Sequence, residues 1–262
     1  IACDQEYWLV TTLARLDNNF DTNIDSIRRY KMAMLPERKI YQINDMPTQI
    51  EDEERMALLE LDTGTIGHYL EAGFMDPGIT QRVAGTKIAG TAVTVRITLP
   101  DSVMAHYALK WIRPGDVLII DRGQDQRTAC WGAATARAAA AAGLAGVIID
   151  GAATDIADAA DAGLPVWRRG LSPVTTKYRG MRGQMNVPVS CGGVAVKPGD
   201  AILADEDGIA VIPRRVLSET IRVGREWFEA EQNFLQLLKE NPGLCYPDVT
   251  GATEIVESRL LK

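Results

Sequence analysis

The chain has 262 residues, of which 46% are hydrophobic and 24% charged, values typical of a soluble globular protein with one large domain. Its net charge is −7 and it has no run of Lys or Arg, which argues against nucleic acid as a direct ligand. No apolar run approaches the ~20 residues that span a bilayer, so we expect no membrane partner.

Cysteine and histidine are sparse. The four cysteines form no CxxC pair, which argues against a zinc knuckle and suits a reducing compartment, so we expect a cytoplasmic protein. The two histidines, His68 and His106, are too few for a multi-histidine zinc centre. The first residues lack the regions of a signal peptide, and the missing initiator Met predicts that the numbering begins inside the gene product or after processing.

The sequence up to about residue 72 predicts helices, and a strand pattern begins near residue 88. Helices are predicted near 4–16, 23–33, 51–61 and 65–72. The run 88–97 is β-branched and alternating, which predicts a strand. Further elements are predicted in chain order as strand 117–121, helix 133–142, strand 146–150, helix 155–162 and strand 164–167. This alternation is typical of parallel strands with helical crossovers.

A last long helix is predicted from about residue 215 to 239, with an apolar face on which Glu231 is the single charged residue. A lone carboxylate on such a face is costly to bury without a partner. Glu231 is therefore either a solvated residue at the rim of the face or a functional carboxylate that faces a neighbouring subunit.

The segment 147–155 ends a buried strand in Asp150-Gly151 and continues into Thr154-Asp155. Ligands of parallel α/β sheets bind beyond the carboxyl ends of the strands, where such loops converge. Asp155 is placed either to cap the next helix or to bind a metal.

The loop 121–133 also follows a strand and leads into a helix. Free backbone N–H groups at a helix start bind carboxylates or phosphates, and Arg122 and Arg127 would add positive charge to clamp a carboxylate. The alternative is a solvent-exposed polar loop without a ligand.

Several blocks of the chain resemble successive blocks of the RraA-like family. The family includes 4-hydroxy-4-methyl-2-oxoglutarate and 4-carboxy-4-hydroxy-2-oxoadipate aldolases and the RraA inhibitors of ribonuclease E. The blocks are IRPGDVLIIDRGQDQRTACWGA, AGLAGVIIDGAATD, GLPVWRRGLSPVTT and NVPVSCGGVAVKPGDAILADEDGIAVIP. Together they lie between about residues 85 and 240 and are specific for the family, although each block alone is a weak signal.

The resemblance implies an α/β fold with a βαβ core and a mixed sheet. It also implies a ring-shaped trimer or hexamer with active sites between subunits. We accordingly predict a helical N-terminal extension over 1–50, an RraA-like α/β domain over 51–240 and a C-terminal tail over 241–262.

The same resemblance implies the site residues. Asp155 matches the aspartate that holds Mg²⁺ or Mn²⁺, and Glu231 matches a glutamate that completes the site from the neighbouring subunit. Gly132 matches the glycine at the helix start, where the backbone of Gly132, Ala133 and Ala134 would hold the carboxylate of pyruvate.

Two positions depart from the aldolase pattern. Ala133 replaces the acid that works through metal-bound water, and Thr154 replaces the arginine that clamps pyruvate. Arg127 or Arg122 would then restore the carboxylate clamp, with Thr154 as a further substrate contact.

These residues predict a divalent-metal lyase, an aldolase or a decarboxylase, that acts on a small 2-oxo (di)carboxylic acid through a pyruvate-type enolate. One alternative is different chemistry in the same pocket without metal, with His68 or His106 as acid or base. The other is a non-catalytic binding or regulatory ring like RraA.

Overall fold

The computed structural model describes residues 39–81, 83 and 85–261. The helices predicted near 4–16 and 23–33, and with them the N-terminal extension, lie outside the described residues. The division of the chain at residues 50 and 240 stays a prediction.

The described part of the chain alternates strands and helices. Its strands are β1 Tyr41–Ile43, β2 Ile88–Ile97, β3 Asp116–Asp121, β4 Gly146–Ala153, β5 Val166–Leu171, β6 Gly183–Met185, β7 Val189–Cys191, β8 Val194–Val196, β9 Ala201–Ala204 and β10 Ile209–Ile212. Its helices are α1 Asp52–Leu59, α2 Thr63–Tyr69, α3 Val103–Ala108, α4 Ala133–Ala141, α5 Ile156–Asp161, α6 Leu217–Glu240, α7 Tyr246–Val249 and α8 Ala252–Glu257.

The main sheet is mixed, as predicted. Its strand order is β1-β6-β2-β3-β4-β5, and β2 to β5 run parallel to one another. β6 and β9 pair with β2 in the antiparallel direction, and β10 forms a hairpin with β9. β7 and β8 form a separate two-stranded hairpin. The parallel part is joined by the crossover helices α3, α4 and α5, so all four strands end at the same edge.

Each face of the sheet is covered by its own apolar cluster. Helices α3, α4 and α5 cover one face, where Met104, Ala136 and Ala159 pack against Val95, Leu118 and Ile149. The β7–β8 hairpin covers the other face, on which Trp167 and Ile148 are buried. A third cluster joins α1, α2 and the first part of α6 to β9 and β10.

Two strands run further than predicted. β4 continues past Asp150 to Ala153, and β5 covers Val166–Leu171 where 164–167 was predicted. Two charged residues at or beyond the predicted ends, Asp150 and Arg169, are paired inside the fold. The Arg169 guanidinium contacts the Asp150 carboxylate, which also accepts the N–H of Gly192 at 2.9 Å. Buried charges paired in this way no longer end a strand.

Helix α6 is buried along its first turns only. Leu217, Thr220, Ile221 and Gly224 are buried against the rest of the chain, whereas Trp227, Leu235 and Leu237 are each more than 40% exposed. From Trp227 onward the helix therefore keeps several large apolar side chains exposed. Across the described ranges, the helices are too short or too polar to cross a membrane.

Candidate active site

A cavity of about 420 Å³ opens at the edge where the four parallel strands end. The loops that follow β2, β3, β4 and β5 all contribute to its wall. The cavity thus lies where ligands of parallel α/β sheets bind. Five of the predicted site residues line it: Gly132, Ala133, Ala134, Thr154 and Asp155.

Asp155 stands at the N-cap position of α5, in the left-handed conformation with φ 51° and ψ 42°. Its side chain makes no capping bond to α5. Instead Oδ2 accepts the N–H of Ala133 at 3.3 Å, and Oδ1 accepts the hydroxyl of Thr154 at 3.1 Å. Of the two roles considered for Asp155, the structure therefore excludes the side-chain cap and directs the carboxylate toward the cavity.

The start of α4 is built around Gly132. Its N–H donates to Oγ1 of Thr135 at 2.9 Å, and the Thr135 hydroxyl donates to the Gly132 carbonyl at 2.8 Å. A Cβ at position 132 would lie 2.8 Å from Oδ2 of Asp155, so glycine permits the close approach of that carboxylate. The N–H groups of Gly132 and Ala133 already have partners, and an anion bound there would have to displace them.

The two arginines predicted to clamp a carboxylate do not line the cavity. The Arg122 side chain is fully buried, and its guanidinium pairs with the carboxylate of Asp125. That carboxylate also accepts the backbone N–H of Arg127 at 3.0 Å. Arg122 therefore holds the loop 121–128 together and does not reach a substrate, because its charge is already paired. Arg127 is exposed on this loop, and its role stays a prediction.

Glu231 lies exposed in the middle of α6 and is not part of the cavity wall. In the part of the chain that the structure describes, no three His, Cys, Asp or Glu residues come together as a metal cluster. A contribution of Glu231 to a neighbouring copy stays a prediction. His68 stacks on Trp227, with ring centroids 5.2 Å apart, and is also absent from the wall.

Several polar residues of the wall were not predicted as site residues, among them Ser102, Lys177 and Tyr178. His106, predicted only as an alternative acid or base, lies beside them. The signal for Lys177 and Tyr178 is the polar run Thr175-Thr176-Lys177-Tyr178 after β5. It was missed because β5 was predicted to end at residue 167, which places the run too far from the strand end.

His106 and Tyr178 contact each other. The Tyr178 hydroxyl lies 2.6 Å from Nδ1 of His106, and the rings meet edge to face with centroids 4.9 Å apart. Burial lowers the pKa of His106 below its usual value, and the negative charge of Asp101 acts against this effect. The imidazole is therefore neutral at pH 7, with one ring nitrogen free of a proton and able to accept a hydrogen bond.

The fold and the cavity define an α/β protein whose mixed sheet carries a carboxylate-bearing pocket at the carboxyl ends of its parallel strands. The model of the RraA-like family, described as Aldolase/RraA, matches residues 51–211, and the chain belongs to this family.

Known relatives agree with this assignment. A protein of Halalkalibacterium halodurans is 38% identical over 128 residues, which are 49% of this chain, and the chain spans only 60% of that protein's length. The 4-hydroxy-4-methyl-2-oxoglutarate aldolase of Thermus thermophilus is 33% identical over 127 residues, 48% of this chain and 76% of that protein. Streptomyces coelicolor RraAS2, a member of the RNase ES inhibitor RraA protein family, has 26% identity and a TM-score of 0.64, covering 74% of this chain and 98% of its own.

Proposed function

We propose that this chain is a divalent-metal-dependent carbon–carbon lyase, an aldolase or an oxaloacetate decarboxylase, that acts on a small 2-oxo acid through the enolate of pyruvate. The observation that supports it is the Asp155 carboxylate, which is held at the cavity by a left-handed backbone without capping α5. Non-glycine residues in the left-handed region are uncommon and concentrate at functional sites. The name of the Thermus thermophilus relative points to the same class of reaction.

The residues present fit a hard divalent cation such as Mg²⁺ or Mn²⁺. Mg²⁺ is commonly bound through one or two carboxylates, with water and substrate oxygens completing its shell. Asp155 supplies one carboxylate, and its two oxygens carry only the hydrogen bonds from Ala133 and Thr154. Bound there, the cation would act as a Lewis acid that stabilises the negative charge of an enolate.

The residues of the wall would orient the substrate. The N-terminal end of α4 carries partial positive charge, and the ammonium group of Lys177 adds a full positive charge to the same cavity. Both attract the carboxylates of a 2-oxo diacid. The Thr154 hydroxyl fixes the Asp155 carboxylate at 3.1 Å and is neutral, so Thr154 cannot replace an arginine as a charged clamp. We therefore expect oxaloacetate decarboxylation to be faster than cleavage of 4-hydroxy-2-oxo diacids.

We also propose that the active protein is a homo-oligomer, a trimer or hexamer, in which Glu231 reaches the cavity of a neighbouring copy. The large apolar side chains that stay more than 40% exposed on α6, Trp227, Leu235 and Leu237, support an interface at this helix. Glu231 lies between Trp227 and Leu235 on the helix.

The test is pyruvate release from oxaloacetate with Mg²⁺ or Mn²⁺, before and after EDTA, with the metal-only background subtracted. Asp155→Asn keeps the shape of the side chain and tolerates the left-handed backbone, but removes the charge. We expect a loss of about 10²- to 10³-fold, the cost of removing one charge-stabilising group from such a site. Asp161→Asn, an exposed carboxylate at the end of α5, is the matched control and should retain wild-type activity.

Unchanged EDTA-sensitive release in Asp155→Asn would exclude the metal-centred lyase. If the wild-type protein released no pyruvate above background, the non-catalytic binding role would replace the lyase as the proposal, in keeping with the similarity to RraAS2.

A further inference from the structure

The cavity wall carries a second polar group besides the Asp155 carboxylate, the contact between His106 and Tyr178. His106 lies on α3, the helix after β2, and Tyr178 lies on the segment after β5. The pair therefore connects two parts of the wall that follow different strands. The hydroxyl oxygen lies 2.6 Å from Nδ1, a short distance for an O–H···N hydrogen bond. Tyr178 is 68% exposed, so its hydroxyl group is within reach of a ligand in the cavity.

Asp101 holds the two sides of this contact together. Its Oδ1 accepts the N–H of Val103 at 3.1 Å, at the start of α3, and the N–H of Arg179 at 3.2 Å, next to Tyr178. Its Oδ2 accepts the N–H of Met181 at 2.6 Å. Asp101 is 3% exposed, so these bonds are shielded from water. The buried carboxylate thereby ties the segment that carries Tyr178 to the helix that carries His106.

We propose that Tyr178 and His106 form the proton-transfer pair of this cavity, with Tyr178 as the residue that exchanges a proton with the substrate and His106 as its partner. The proposal rests on the proposed function, because aldol cleavage removes a proton from the substrate hydroxyl, and both aldol cleavage and decarboxylation end with protonation of the enolate.

The protons that leave and return to the substrate all pass through Tyr178 and His106. In aldol cleavage the substrate hydroxyl gives its proton to Oη of Tyr178, while the phenol proton passes to Nδ1 of His106. The C–O bond becomes a carbonyl, the carbon–carbon bond breaks, and its electron pair forms the enolate of pyruvate. Tyr178 then gives a proton to C3 of the enolate and regains one from the His106 imidazolium. The pair ends in its starting state.

The charged and titratable groups around His106 suit this role. Tyr178 contacts the ring of His106, and the negative charge of Asp101 acts on the ring electrostatically. Lys177 and Asp155 belong to the same cavity wall. The lowered pKa of His106 keeps the imidazole neutral at pH 7, so that Nδ1 is not already protonated when the phenol proton is transferred. Asp101 stabilises the imidazolium once it forms.

The test separates proton transfer from carbon–carbon cleavage. The wild-type protein with Mg²⁺ should exchange the methyl protons of pyruvate with D₂O, followed by proton NMR, because exchange is the reverse of enolate protonation. Tyr178→Phe should slow this exchange about 10²- to 10⁴-fold, the usual contribution of a general acid or base, with little change in the KM for pyruvate. Tyr107→Phe is the matched control, since Tyr107 is a partly exposed tyrosine beside His106 that does not line the cavity.

His106→Asn keeps a hydrogen-bond acceptor near the position of Nδ1 but cannot take up a proton. In the wild type the exchange rate should fall as the pH drops through the pKa of His106, and in His106→Asn this dependence should disappear. A purely structural role would lower the rate equally at every pH.

The outcomes distinguish this proposal from the proposed function. If Tyr178→Phe exchanges protons at the wild-type rate while pyruvate release still depends on Asp155, the proton-transfer pair is wrong. The proposed lyase activity is then unaffected. If the wild-type protein shows neither proton exchange nor pyruvate release, both the proton-transfer pair and the lyase are wrong.

Discussion

The close approach of Gly132 to Asp155 gives a sharp test of the site. Gly132 has an extended backbone with φ −154°, which alanine adopts without strain, so Gly132→Ala changes only the space around its Cβ. That Cβ would lie 2.8 Å from Oδ2 of Asp155, whereas ordinary van der Waals contact begins near 3.4 Å. The carboxylate must therefore move by about 0.6 Å.

The displacement should affect activity more than stability. Misplacement of a catalytic group by about 1 Å costs on the order of 10²-fold in rate, so we expect roughly a 10-fold loss of EDTA-sensitive pyruvate release from the smaller shift. The free energy of unfolding should fall by no more than about 1 kcal/mol, because the crowded neighbour is a side chain at a cavity and alanine reduces the entropy of the unfolded chain.

The assay is pyruvate release as a function of Mg²⁺ concentration, together with thermal unfolding. Gly208→Ala is the control, because a Cβ at position 208 meets no atom within 4 Å. We expect Gly208→Ala to keep wild-type activity. Wild-type activity and an unchanged Mg²⁺ dependence in Gly132→Ala would refute the reasoning that the position of the Asp155 carboxylate controls the reaction.

Two further predictions concern stability and assembly. Asp101→Asn should lower the free energy of unfolding at pH 7 by about 1–3 kcal/mol, because the amide cannot accept all the buried N–H bonds. Burial opposes the shift, but these bonds hold the pKa of Asp101 below its usual value. The difference from wild type should therefore persist above about pH 4 and vanish as the pH falls through the lowered pKa, as chemical denaturation across pH will show. Light scattering should detect a trimer or hexamer at micromolar concentration. Glu231→Gln should lower activity without changing that mass, and a stable monomer would contradict the interface at α6.

The order of strands and helices is predictable from the sequence because it depends on local patterns. The alternating run of β2 and the alanine-rich run of α4 each specify their element without distant contacts. The ends of β4 and β5 were not predictable in this way. They depend on the pairing of Asp150 with Arg169, and from the sequence each residue is an isolated charge that favours a strand end.

The candidate site was predictable only where it depends on strand ends. Asp155 follows β4 closely and Gly132 precedes the helix that comes after β3, so the topology brings both to the same edge of the sheet. Arg122 could not be placed, because its burial depends on the ion pair with Asp125 inside the loop. Tyr178 could not be placed either, since its position follows from the hydrogen bonds that Asp101 makes across the fold.

The left-handed backbone at Asp155 also limits which residues evolution can place there. Besides aspartate, asparagine and glycine adopt φ near 51° at low cost, so we expect both to keep the fold. Each is one nucleotide away from an aspartate codon. If Asp155 binds the metal as we propose, a descendant of this chain can lose that charge in one mutation and keep its scaffold, which would be a short evolutionary route from an enzyme to a binding protein on the same fold.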